Sequence, residues 1–500
     1  MTAPPPPSRA QSLDPPIDRS QSVFPRRLFV IAVLTIGLMA RAATYRSPLF
    51  DFHAWRQADT AAIARNFVEE RFNPLYPQVD SRGAQPVGYV ATGFELHAFM
   101  VALLSTIFGF SPALGRLLNV ALFPLAALLI AGFVRVRYGE PESLVALFIF
   151  ALGLPLTMFV DRAFMNESML CLLSIICLWS AQSFCQRLRT GDFALLVVGF
   201  ALIAIVKPTY LIVGAPVAGL FVERFGTAGL IRWQLWAVGI VAASAGALWF
   251  SHARDLYEAT GLSFGFGNKL MASEVLSSPD YPPKLARRIL QDILGPVGVL
   301  FAPAGLIAAL RRGRHAESWG VLAFVGYLVV VAAGNFHHNY YQLPMVPIGT
   351  VLTSVGVVAA VRWFNQRYSW QPGSAATAYA AILWVAASST FVRNVSAHNW
   401  YELDHSRMRV CEDLKPLLSE SDRVVFVNDP SPDILFCLDR KGWLLNDPRT
   451  TVEDVQGLAA AGASVVVLHR SDRSLTGFAT AGQQLVETPD FIAYRLRAGR

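Results

Sequence analysis

Two carboxylates, a histidine, an arginine, a glutamine and a tryptophan fall within the nine residues Asp51-Phe52-His53-Ala54-Trp55-Arg56-Gln57-Ala58-Asp59, just after the first long apolar segment. Anchoring a helix requires none of that chemistry. Three more polar sets interrupt apolar runs further along: Asp161-Arg162 with Asn166-Glu167, Lys207-Pro208, and Asn335-Phe336-His337-His338-Asn339-Tyr340-Tyr341-Gln342-Leu343-Pro344. An ionisable group at a membrane boundary is costly unless paired or hydrated, so each is a functional candidate. Each also has a blander explanation. Lys207 alone is compatible with a side chain that snorkels to the headgroups. Asp161 and Arg162 are compatible with a surface ion pair, and His337 and His338 beside Tyr340 and Tyr341 with an aromatic interface belt. Glu95 and His97 read as local capping or pairing groups. Together, these readings leave carboxylates, a lysine and histidines gathered on one membrane face without a reason.

Carboxylates with Lys and Arg at a bilayer surface suit transfer of a sugar from a polyprenyl phosphate. The leaving phosphate needs cations to stabilise its charge. The acceptor hydroxyl needs a carboxylate as general base. Asp59, Asp51 and Glu167 are the catalytic candidates. Arg56, Gln57, His53, Trp55, Arg162, Asp161, Lys207, His337, His338, Tyr340 and Tyr341 are the substrate-binding candidates. A metal held by Asp59, Glu167 and His337 is conceivable. No ligand spacing marks it, so no metal ligand is assigned and a divalent cation stays open. The sequence has no Walker loop, no GxGxxG after a strand and no nucleophile elbow, which argues against an ATP-driven machine.

These groups must be held by membrane helices. The 500 residues are 54% hydrophobic and 15% charged, with a mean hydropathy of +0.42; soluble domains carry about 25% charged residues. Apolar runs of roughly 20 residues, enough to cross the hydrocarbon layer, recur near 28–44, 91–110, 112–134, 142–160, 167–185, 193–206, 208–222, 232–251, 291–310, 318–334, 342–361 and 375–392. The net charge of +7 sits in arginines of short loops, so no nucleic-acid partner is expected. Arg135 and Arg137, Arg187 and Arg189, Arg224 and Arg232, Arg311, Arg312 and Arg314, and Arg362 and Arg367 occupy alternate loops. Placing them with Arg26 and Arg27 in the cytoplasm puts every polar set outside. The parity holds only if 91–110 makes no net crossing. That segment is therefore read as re-entrant or interfacial, within a first outer loop spanning 45–111, which leaves eleven crossings; thirteen would fit the same sidedness.

Residues 1–25, with Pro4 to Pro7 consecutive, read as a disordered cytoplasmic segment. Residues 26–393 form the membrane domain. The tail, 394–500, changes character: Arg423–Val427 and Ala463–Leu468 read as buried strands, and helical patterns lie near 408–419 and 452–461. The expected fold is thus an all-α polytopic membrane domain of about 11–13 transmembrane helices with a small C-terminal α/β extracytoplasmic domain. Cys411 and Cys437 lie in that tail, and spacing alone leaves a disulfide between them open.

The chain resembles the GT-C superfamily of polytopic glycosyltransferases, closest to the family 39-like group that includes protein O-mannosyltransferases and the aminoarabinose transferases of lipid A. The likeness rests on Trp55-Arg56-Gln57-Ala58-Asp59-Thr60 followed by Ile63-Ala64-Arg65-Asn66-Phe67, on Arg162 with Glu167, on Lys207-Pro208, and on Tyr340-Tyr341-Gln342-Leu343-Pro344-Met345-Val346-Pro347. It covers roughly residues 28–365, plus a C-terminal outer domain. That group often carries Asp-Glu before the first-loop helix where this chain has Arg56-Gln57. Two candidate bases remain, Asp59, which lies inside the matching string, and Asp51. Glu167 stands near where Asp is usual, with Asp161 as the alternative. The resemblance implies an inverting glycosyltransferase in the inner (plasma) membrane. Its donor is a polyprenyl-phosphate sugar and its acceptor a glycan, lipid or protein of the cell envelope. The competing expectation, a transporter or lipid flippase, calls for ionisable residues near the midplane and internal repeats, and the sequence offers neither.

Overall fold

The computed structural model describes residues 23–83, 85–265, 269–371, 373–395, 400–447, 450–470, 477 and 482–496. Most of the segment expected to be disordered lies outside them. Its last residues belong instead to α1 (Val23–Ala42), because Val23 and Phe24 extend the apolar run backwards past Arg26 and Arg27. The long loop after α1 holds α2 (Ala54–Glu69) and α3 (Leu96–Phe108). Every α2 side chain from Gln57 to Phe67 is buried, so this helix is enclosed by protein rather than floating on the surface.

Next come α4 (Pro112–Tyr138), α5 (Glu140–Leu152) and α6 (Pro155–Val160), then α7 (Glu167–Arg187) and α8 (Thr190–Val206). Ser111 caps α4 through the Ala113 amide, and Pro112 occupies a position that needs no donor. A 3₁₀ stretch, Pro208–Val213, leads into α9 (Gly214–Phe225), followed by α10 (Trp233–Thr260). The short α11 (Ser273–Leu276) and α12 (Tyr281–Arg288) precede α13 (Gly295–Arg311), α14 (Ala316–Val330), α15 (Ala332–His337), α16 (Val346–Tyr368) and α17 (Ser374–Val395). Tyr281–Ile293 meets α13 at 102°, a turn made possible by Gly295 with φ +66°.

Among the described residues, six helical stretches are long and apolar enough to cross a membrane, or seven with that bent pair counted as one. That is fewer than the expected 11–13. The other expected crossings fall on α1 and on shorter or interrupted helices. The expected 142–160 span is cut into α5 and α6 around Gly153, and α8 and α14 have only 17 and 15 residues.

Ion pairs sort the helix ends into two sets. At one end Arg137 bonds Glu317 (2.8 Å) and Glu223 (3.0 Å), Arg362 bonds Glu142 (2.9 Å), Arg135 bonds Glu140 (2.8 Å), and Arg26 joins Glu140. At the other end meet the loops around Asp51, Glu95, Asp161, Lys207, Asp292 and Asn339. α3 stays at this second end: Glu95 before it bonds Arg56 (3.2 Å), and Arg116 just beyond it bonds Asp51 (2.9 Å). It therefore makes no net crossing, and its 13 residues would rise only about 20 Å.

Close helix approach sets the core. A Cβ on Gly305 would lie 1.8 Å from the Leu352 carbonyl oxygen, and one on Gly356 1.9 Å from that of Phe301, so α13 and α16 pack backbone to backbone.

The tail folds as α18 (His405–Leu414), β1 (Arg423–Val427), α19 (Asp433–Leu438), β2 (Gly442–Leu445), α20 (Val452–Ala459), β3 (Ala463–His469), β4 (Gly482–Glu487) and β5 (Phe491–Leu496). Sheet order is β2-β1-β3-β5-β4, with β1 parallel to β2 and β3, and β5 antiparallel to β3 and β4. Alternate residues serve two cores: Val424 and Phe426 pack with Val410 and Leu414, while Val425 and Val427 pack with Trp443 and Val455. Cys411 and Cys437 are joined, Cα to Cα 6.1 Å. The domain docks on the first loop at the second helix end. Gly442 N donates to Asp80 O (3.1 Å) and Arg82 N to Gly442 O (2.6 Å), so residues 80–82 extend the β2 edge. Beneath them the buried Asp80 accepts from Arg65 (2.6 Å) and Lys441 (2.8 Å).

Gly356→Ala forces α13 and α16 apart. It should cost about 1–3 kcal/mol, read as a lower thermal unfolding midpoint in detergent, whereas Gly239→Ala, where a Cβ meets nothing, should leave it unchanged.

Candidate active site

The site is built on a knot of buried charge. Arg116 donates to both Asp51 oxygens (2.9 and 3.1 Å), and the Arg162 guanidinium lies 2.8 Å from Asp51 Oδ2. Gln57 donates to Asp51 Oδ1 (2.6 Å) and accepts from Arg116 and the Phe164 amide. Arg162 is further held over the rings of Phe159 and Tyr401. Three segments of the chain thus converge on one carboxylate, and the start of α2 is fixed against α4 and the 161–166 loop. Asp161 is tied separately to Arg41 of α1 (2.8 Å). Asp161 and Arg162 are therefore both buried and paired with distant partners, not with each other on the surface.

From this anchor α2 projects Trp55, Arg56 and Asp59 into a cavity of about 680 Å³, whose lining also includes His53, Asn166, Lys207, Arg254, Phe264, Lys269, His338, Tyr340 and Tyr341. Lys207 leaves the last turn of α8 and bonds Glu167 (2.7 Å), with its ammonium over the Tyr340 and Tyr341 rings. Arg56 pairs with Glu95, whose other oxygen accepts from Asn166 (3.0 Å). Gly93 lets the loop before α3 press on the end of α8: a Cβ there would lie 2.0 Å from the Val206 carbonyl oxygen. The wall carries four cationic groups (Arg56, Lys207, Arg254, Lys269) and one carboxylate, Asp59. Asp59 forms no salt bridge among the described residues. Burial pushes its carboxyl up to about 8, against the pull of the nearby Arg56.

His53 has left-handed backbone (φ 60°); its ring meets Asn339 Oδ1 (3.0 Å) and the Tyr340 edge. Burial holds His53 down to about 4 and His338 to about 3, so both are neutral imidazoles at neutral pH. These two side chains also line a second cavity of about 520 Å³, together with His337, Arg287, Arg288, Asp292 and Arg393.

Of the sequence candidates, Asp59, Arg56, Trp55, His53, Lys207, His338, Tyr340 and Tyr341 share the first cavity. Glu167 stands behind its wall, gripping Lys207. His337 faces the second cavity only. Asp51, Gln57, Asp161 and Arg162 line neither. Sequence reasoning passed over Arg116, although a buried arginine one turn into an apolar run is itself a signal. It also passed over Arg254 of α10, Lys269 of the following loop and Arg288 of α12, which match no motif. Glu95 does pair locally, accepting from Thr92 (3.0 Å), and it also bonds Arg56 across 39 residues. Asp59, Glu167 and His337 do not gather, and no group of three His, Cys, Asp or Glu among the described residues is placed to hold a metal ion.

The fold is that of the GT-C glycosyltransferases. ArnT from Cupriavidus metallidurans in the apo state superposes with a TM-score of 0.67 at 11% identity, covering 95% of this chain and 99% of that one. ArnT bound to undecaprenyl phosphate gives 0.66 at 12%, covering 95% and 98%. The archaeal oligosaccharyltransferase AglB from Archaeoglobus fulgidus, in complex with an inhibitory peptide and a dolichol-phosphate, gives 0.56 at 10%, covering 92% and 71%. No family model and no curated protein matches the sequence.

The two candidate carboxylates should separate in unfolding experiments. Asp51→Ala strands two buried arginines and should cost about 3–5 kcal/mol. Asp59 behaves oppositely. Its neutral form is favoured in the folded chain, so the stability it contributes is complete below the ordinary value of 3.8 and is lost as pH rises through about 8. Asp59→Asn, which cannot ionise, should therefore match the wild type at pH 4 and exceed its unfolding midpoint at pH 8.

Proposed function

We propose that this protein is an inverting, polyprenyl-phosphate-sugar-dependent glycosyltransferase of the plasma membrane, acting at the face away from the cytoplasm. The observation that carries the reading is the buried Asp59, without a salt bridge among the described residues, in one cavity with Arg56 and Lys207. Asp59, once ionised, takes the proton of the acceptor hydroxyl. The acceptor oxygen forms a bond to the anomeric carbon from the side opposite the leaving group. The bond from that carbon to the phosphate oxygen breaks, and the electron pair leaves with the polyprenyl phosphate. Arg56 and Lys207 stabilise the charge that develops on it. Glu167 and Glu95 are positioning residues that aim those two cations. Asp51, Gln57, Arg162 and Asp161 position the loops that carry the site, while His53, His338, Tyr340 and Tyr341 shape the pocket. ArnT, the neighbour that superposes over nearly its whole length, has been captured with undecaprenyl phosphate, which supports a lipid-linked donor here.

The same reading divides the chain into a membrane domain, residues 26–393, and an outer domain, 394–500. The arginine-rich helix ends face the cytoplasm by charge bias, and the joined Cys411 and Cys437 suit an oxidising compartment. The transporter alternative gains no support, because both charge clusters lie at helix ends.

Transfer of radiolabelled sugar from polyprenyl-phosphate donors should be detectable in membranes carrying the wild type. It should fall by about 10²–10⁴-fold in Asp59→Asn and about 10–100-fold in Lys207→Ala. Since Asp59 must be ionised to act, kcat/KM should rise with pH through a limb near 8. Wild-type turnover in Asp59→Asn would move the base elsewhere. A cysteine placed at Gly313 should react with membrane-impermeant maleimide only after lysis, and one at Gly265 in intact cells; the reverse pattern would invert the orientation.

A further inference from the structure

The second cavity is the more demanding one to explain. Three guanidinium groups line it, from Arg287 and Arg288 of α12 and Arg393 of α17, against one carboxylate, Asp292. That carboxylate is already occupied: it accepts from Arg393 (2.8 and 2.5 Å) and from Asn339 (3.3 Å). Arg288 donates to the Asn335 carbonyl (2.5 Å), which carries no charge, so among the described residues the hollow holds two positive charges in excess. A lone cationic cluster at a membrane end is a receptor for phosphate or carboxylate. A donor of the kind inferred above brings one phosphate at its scissile bond, and Arg56 and Lys207 of the first cavity already provide for it. The second set of cations suits a second anion. The two hollows share His53 and His338 as a common wall, so ligands in both lie side by side at the site.

We propose that the second cavity is the acceptor site, and that the acceptor carries a phosphate or carboxylate held by Arg287 and Arg288 while its hydroxyl is presented toward Asp59. The proposal rests on the transferase reading and narrows it from any glycan, lipid or protein to an anionic acceptor.

The test uses full-length protein in phosphatidylcholine nanodiscs with two probes, octyl glucoside and octyl glucoside 6-phosphate. Calorimetric binding should favour the phosphorylated probe by at least about tenfold, the scale of one charge-assisted bond. Transfer from a polyprenyl-phosphate sugar should show the same preference in kcat/KM. In Arg287→Gln/Arg288→Gln both preferences should vanish while the KM for donor holds. Arg287 is exposed, so Arg287→Glu alone leaves the fold intact, checked by its unfolding midpoint, and should weaken only the phosphorylated probe. Equal binding of the two probes overturns the proposal and leaves the transferase reading standing if transfer proceeds. A rise in donor KM with the acceptor preference unchanged overturns it by giving the cavity to the donor phosphate. Loss of probe binding when phosphatidylglycerol is added overturns it by giving the cavity to a lipid headgroup. Tight binding of the phosphorylated probe with no sugar transfer from any donor overturns the acceptor assignment together with the transferase reading.

Discussion

Asp51 is the point on which the architecture turns. A carboxylate buried at a membrane end is tolerable only with its charge met at close range, and here Arg116, Arg162 and Gln57 meet it. Each partner comes from a different part of the chain, so satisfying one charge fastens α2, α4 and the 161–166 loop together. The direction of α2 follows, and with it the positions of Arg56 and Asp59, which point into the cavity rather than into the knot. The same rule, that buried charge recruits a distant partner, accounts for Asp161 on Arg41, Glu167 on Lys207, Glu95 on Arg56 and Asp292 on Arg393.

Those pairings explain why the site was only partly legible in the sequence. The alternation of arginine-bearing loops forecast which helix ends meet, because charge bias acts over short loops and needs no tertiary knowledge. The strand pair Arg423–Val427 and Ala463–His469 was legible because buried parallel strands are continuous apolar runs. β2, β4 and β5 were not, being at or near the sheet edges and less continuously apolar. Asp51 and Asp59 look alike as residue types; only packing shows that one is neutralised by two arginines and the other faces a cavity. Arg254, Lys269 and Arg288 carry no motif; Arg254 reaches the first hollow from α10, Lys269 from the loop after it, and Arg288 reaches the second from α12. Helix breaks inside the apolar runs were not legible either: Gly153 divides the 142–160 run into α5 and α6, and the chain bends by 102° before α13.

The C-terminal domain shares in the same economy of charge. Asp80 of the first loop binds Arg65 beneath it and Lys441 of the tail, and residues 80–82 lengthen the tail's sheet. The loop that carries the candidate base is therefore clasped from below by α4 and from above by the sheet. A site held from both sides keeps this carboxyl dehydrated, which raises its titration from the ordinary carboxylate range toward that of a general base.

The central claim is that the cavity between Asp59 and Lys207 receives the phosphate of a lipid-linked donor. The most direct measurement is a cryo-electron microscopy structure of the protein in nanodiscs with a polyprenyl phosphate added. The account predicts phosphate density within hydrogen-bond reach of both Arg56 and Lys207, beside Asp59. Density among Arg287, Arg288 and Arg393 with the first cavity empty, or on the far side of the bilayer, would contradict it.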